Sequence, residues 1–106
     1  MERFERESRP EATPLLVIRD LRAGDEVTLD ALASEPTESA HAILDLSSLE
    51  DISDEGCEVI QRLVALLREK GRHVSVLPMV SDTVVAKLRA VGLSIDPIVG
   101  SIEPKP

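Results

Sequence analysis

The reactive side chains of this chain concentrate in one tetrapeptide, Ser53-Asp54-Glu55-Gly56, followed at once by Cys57. A hydroxyl can accept a phosphoryl group. Carboxylates supply fixed charge. Either can cap a helix by satisfying N–H groups that a first turn leaves unpaired. The spacing fits Asp54 as an N-cap with Glu55 at the first helical position, and Ser53 is an alternative cap. Cys57 falls in the first turn, where a helix dipole can lower a thiol pKa; a small buried apolar residue is its plainer role. His41 and His73 stand alone at the starts of two predicted strands, and no Cys/His set has metal-ligand spacing. No nucleophile–base pair and no glycine-rich phosphate loop of common spacing is present. Acids at the helix start would also repel a phosphate placed there. The expectation is a non-catalytic chain with no metal and no cofactor.

The elements that must position this loop flank it. Ala42, Ile43, Leu44 and Leu46 form an apolar run of strand length, interrupted by Asp45. After the loop, Val59, Ile60, Leu63, Val64, Leu66 and Leu67 recur at helical spacing over 56–70. Gly71 follows as the stop, with Arg68 and Lys70 where cations suit the dipole.

The rest of the chain supplies further alternations. Residues 15–18 predict a strand, and Arg22-Ala23-Gly24-Asp25 is turn chemistry. A short helix is expected through 28–34, with Val27, Leu29 and Leu32 packing, and a break over 35–39. Residues 72–77 alternate as a strand, and a parallel crossover should join it to strand 41–46. Ser81 reads as the cap of another helix, with Val84, Val85, Leu88 and Val91 on its core face and Gly92 beyond its end. Leu93, Ile95, Ile98 and Val99 suggest a short edge strand near 95–99 that a second copy could pair with, making a homodimer. Residues 1–13 and 101–106 read as tails, leaving one domain over 14–100. The expected fold is α/β, a small mixed sheet of four to five strands with helices mainly on one face.

Composition narrows the partners. The 106 residues allow one core, built from Leu, Ile, Val and Ala because Phe4 is the one aromatic residue. A net charge of −8 and the lack of an aromatic platform argue against nucleic acid, and the charge argues against an anionic membrane surface. No apolar stretch approaches the ~20 residues that span a bilayer, and the charged first residues lack a secretory h-region. A lone cysteine allows no internal disulfide, so a soluble cytoplasmic protein is expected.

At this point a resemblance emerges. Ile43-Leu44-Asp45-Leu46-Ser47-Ser48-Leu49-Glu50-Asp51-Ile52, a polar loop ending in Gly56, and an amphipathic helix ending in glycine resemble the STAS domain, the anti-sigma factor antagonist family. Val74-Ser75-Val76-Leu77 and the run from Ser81 to Gly92-Leu93 resemble that family's next strand and last helix. Gly24-Asp25 stands where the family has a turn of similar type. The resemblance covers about residues 15–99 and is most specific from 42 to 93.

In the family, the loop usually reads Asp-Ser-Ser/Thr-Gly, and a partner kinase phosphorylates the hydroxyl directly before the glycine. Here Glu55 stands at that position, Asp54 at the preceding serine and Ser53 at the aspartate. A carboxylate cannot accept phosphate in the family's way. Glu55 could instead imitate the phosphorylated state. A phosphoserine carries about −1.5 to −2 and three acceptor oxygens, against about −1 and two for Glu. The competing role is a helix cap, stabilising by roughly 1 kcal/mol. Ser53 as a phosphosite is disfavoured by the two adjacent carboxylates.

The resemblance implies a protein-interaction module for transcription regulation by partner switching. It would bind an anti-sigma factor or serine-kinase-like regulator through loop 51–56 and helix 56–70. The residues carrying this are Asp51, Ser53, Asp54, Glu55, Gly56 and Glu58. The alternative is a soluble STAS subunit of a lipid- or anion-transport complex, working with a transporter ATPase.

Overall fold

The computed structural model describes residues 3–8, 13–34 and 40–105. In chain order the elements are β1 (Phe4–Ser8), β2 (Pro14–Ile18), α1 (Asp25–Ser34), β3 (His41–Asp45), α2 (Asp54–Glu69), β4 (His73–Val76), α3 (Asp82–Ala90), β5 (Leu93–Asp96) and β6 (Ser101–Pro104). The strands form one mixed sheet in the order β1-β2-β3-β4-β6-β5. β2, β3 and β4 run parallel, with Leu16 beside Leu44 and Leu44 beside Val76. β1 is antiparallel to β2, and β6 is antiparallel to both β4 and β5.

Strand alternation sets the layers. Leu16, Ile18, Ala42, Leu44, Val74, Val76, Ile95 and Ile102 join the buried residues of all three helices in one cluster. Helices therefore cover one face of the sheet, as the sequence predicts. Leu15 and Val17 point the other way, outside that cluster, yet remain buried. Leu15 lies between Glu7 and Ile43, and Val17 between Glu5 and Asp45, so flanking side chains shield them.

The α/β class and the helix layer match expectation, but the strand count is six, not four to five. The two added strands arise in stretches read as tails. β1 lies within 1–13 and β6 within 101–106. Only Phe4 and Ile102 are apolar inside them, too few to register as periodicity. Backbone pairing to β2, and to β4 and β5, orders them instead. The final strand also differs. β5 ends at Asp96 before Pro97, and Ile98 and Val99 lie exposed in the turn to β6 rather than in an edge strand.

Helix ends follow local chemistry. α2 buries Val59, Ile60, Leu63, Val64 and Leu67, and α3 buries Val84, Val85 and Leu88. Gly71, just past the cap of α2, has φ 76°, a conformation glycine adopts without strain. α1 starts at Asp25, earlier than expected. It buries Leu29, while Val27 is exposed. The break over 35–39 falls outside the described residues.

Candidate functional site

The acidic loop lies where β3 ends and α2 begins. Because β2, β3 and β4 are parallel, the loops leaving them gather at one end of the sheet. Ser53, with extended backbone, caps α2, and its Oγ accepts from the Gly56 N–H at 3.0 Å. The structure thus corrects Asp54 as N-cap. Asp54 and Glu55 occupy the first turn, where the dipole favours their charge without their having to accept the capping bond.

The loop is fastened from beneath. Lys87 of α3 donates to Asp51 Oδ1 at 2.7 Å and to the Ile52 carbonyl at 3.0 Å. Ser81 caps α3 by accepting from the Val84 N–H at 3.2 Å, and its hydroxyl donates to the Glu50 carbonyl at 3.0 Å. The Lys87 ammonium, helped by the Ile52 N–H, holds the Asp51 carboxyl below its ordinary range. Ile52 is buried and anchors the loop in the core.

Gly56 is set by contact, not by backbone conformation. A Cβ there would lie 2.8 Å from Ile52 Cγ1 and 3.3 Å from Leu21 Cβ. Glycine lets the helix start press against the loop and the segment after β2. Beside it, Asp20, Leu21, Leu49, Asp51, Ile52 and Ser53 line a depression of about 110 Å³.

What remains outward is charge. Asp51, Asp54, Glu55 and Glu58 are all exposed. Glu58 shares a helical face with Asp54 at i+4 and Glu55 at i+3. Arg62 approaches Glu58 at 3.8 Å, a loose solvated pair, and the largely buried Glu26 at 3.7 Å. Asp54 and Glu55 make no ion pair or hydrogen bond with another described residue. The predicted site residues thus come together as one acidic knob, with Gly56 buried beneath it.

Cys57 is buried, and its thiol is pushed up by burial and by the Asp54 charge. It is therefore a packing residue and not a dipole-activated thiol. Lys87 and Ser81, the ties to the loop, were not among the predicted site residues. Sequence spacing identified them only as members of the next helix. His41 and His73 do not stand alone in space. They are partners in the β3–β4 register, with ring centroids 5.3 Å apart. Two histidines each opening one of two parallel strands was the signal for that pairing.

No family model, curated protein or solved structure matched the chain. Among the described residues, no helix is long and apolar enough to cross a membrane.

Proposed function

We propose that the chain is a STAS-like, non-catalytic interaction module, resembling an anti-sigma factor antagonist. It engages an anti-sigma, serine-kinase-like regulator through loop 51–56 and the exposed start of α2. One observation carries this reading: the carboxylates of Asp54 and Glu55 form no ion pair or hydrogen bond with another described residue, on a loop that the Ser53 cap, Lys87 and Ser81 hold in place. A prepositioned loop spares the ordering cost of binding, and the charge it carries tunes how tightly the partner is held. In the family that this chain resembles, phosphorylation of this loop usually releases the partner; Glu55 acts as a fixed negative charge at the same position, so the partner is held weakly.

The test is affinity capture from the source cell's cytosol with the native chain and Glu55→Ser in parallel, bound proteins being identified. The expected outcome is an ATP-binding regulatory kinase, enriched several-fold by Glu55→Ser. Recovery of a transporter ATPase, equally with both chains, would overturn the reading in favour of a transport-complex subunit and leave Glu55 a helix-start residue.

A further inference from the structure

At the opposite end of β3 from the acidic loop, we propose that His41 and His73 form an exposed two-imidazole site for a divalent transition metal of the Zn(II), Ni(II) and Cu(II) group. The site is independent of the interaction surface proposed above.

Register makes the pair. His41 and His73 are Cα partners on adjacent parallel strands, so both side chains rise from the same face of the sheet. The strands are not at a sheet edge, and their separation is fixed by the ladder. The His73 N–H also donates to the Ala40 carbonyl at 2.7 Å, locking the register where the imidazoles begin.

The spacing suits one shared ion. Imidazole nitrogens bind these metals at about 2.0–2.1 Å, and a ring centre lies about 1.1 Å behind its nitrogen. Each ring centre would then sit about 3.2 Å from the ion, and at a tetrahedral angle the two centres would be about 5 Å apart. The observed separation is 5.3 Å, with the rings tilted by 32°. The strand spacing thus holds the two rings at a separation that one ion can bridge.

The surroundings allow a cation. Both histidines are exposed, and Ile43 and Ser75, two residues on along the same face, are neutral. The basic residues that precede His73 in sequence are committed to α1 and its end. Arg72 donates to the Ala33 carbonyl at 2.9 Å, and Lys70 to Asp30 at 2.7 Å. Among the described residues no third His, Cys, Asp or Glu completes a ligand set. Water fills the remaining positions, which leaves them open to an outside donor. Imidazole suits Zn, Ni and Cu, whereas Mg(II) and Ca(II) require oxygen ligands.

The test is calorimetric titration of the full, tag-free chain with Zn(II), and separately with Mg(II), repeated for His41→Asn and His73→Asn. Both positions are exposed, and circular dichroism in the absence of metal checks that the variants keep the fold. The expected result is one saturable Zn(II) site per chain and no Mg(II) response. Each variant should weaken Zn(II) by about tenfold or more, since even outer-shell losses weaken metal sites by about 10–100-fold. Undetectable Zn(II) binding would overturn the proposal. So would unchanged affinity in His73→Asn, which would move the ion to the acidic groups.

Discussion

At the scale of single residues, the loop depends on one position that tolerates no side chain. Gly56 is helical, so alanine should gain about 0.5–1 kcal/mol of helix propensity there. The steric term opposes it, because the new Cβ would meet Ile52 Cγ1 at 2.8 Å. That atom is the near branch of a buried side chain and cannot swing aside alone. Overpacking of this kind costs about 1–3 kcal/mol, so the clash wins. Gly56→Ala is expected to lower unfolding free energy by about 1 kcal/mol and to displace Ile52 and the acids beyond it. Chemical denaturation read against the native chain checks this; an equal or higher midpoint would mean that the loop yields freely. The glycine itself was legible in the sequence, as was the helix it opens. The capping assignment was less so. Ser53 and Asp54 are both good caps, and what separates them is the extended backbone of Ser53, φ −75° and ψ 166°, with its Oγ accepting from the Gly56 N–H.

At the scale of elements, the poorly legible pieces are the two strands of low apolar content. β1 reads as a charged stretch because its order comes from backbone pairing and from ion pairs, Glu5 with Arg19 at 2.7 Å and Arg3 with Asp25. The Arg3 guanidinium, just before β1, engages the buried Asp25 at the start of α1, with a second contact of 3.1 Å from Nη2 to Oδ1. Asp25 also accepts from the Arg22 N–H at 2.6 Å. Burial pushes the Asp25 carboxyl up, but Arg3 and the Arg22 N–H outweigh it and hold it below its ordinary range. A depressed carboxyl pKa gives stability that is present above the unfolded value, near 3.9, and is lost as pH falls through the folded value. Asp25→Asn should therefore destabilise by about 1–2 kcal/mol at neutral pH, and the difference should shrink at acid pH, below the unfolded value near 3.9. Denaturant midpoints at the two pH values measure this. A difference that stays constant would show that Asp25 acts by packing alone.

At the scale of the whole molecule, the helix stripes made the layering legible before any coordinates. Two amphipathic segments, now α2 and α3, lie between short strands and bury their stripes against one sheet face. What periodicity could not show was the pairing order. β6 slips between β4 and β5 although it is last in the chain, and its single buried residue, Ile102, carries its place in the core. The acidic loop was legible as a chemical oddity, and its position beside the exposed start of α2 followed from the strand–loop–helix reading. Its rigidity was not legible, because Lys87 and Ser81 reach it across more than 30 residues of sequence.

The arrangement separates two chemistries. One end of the parallel strands presents anchored carboxylates, and the other presents the paired imidazoles. The central claim is that the first of these ends is the partner surface. The most direct measurement is an amide-resonance titration of the labelled chain with the regulatory kinase recovered by capture. The account predicts that the perturbed amides cluster over residues 50–62, with smaller shifts at Ser81 and Lys87 transmitted through their bonds to the loop. Perturbations centred on the open sheet face or on β5, with residues 50–62 unmoved, would contradict it.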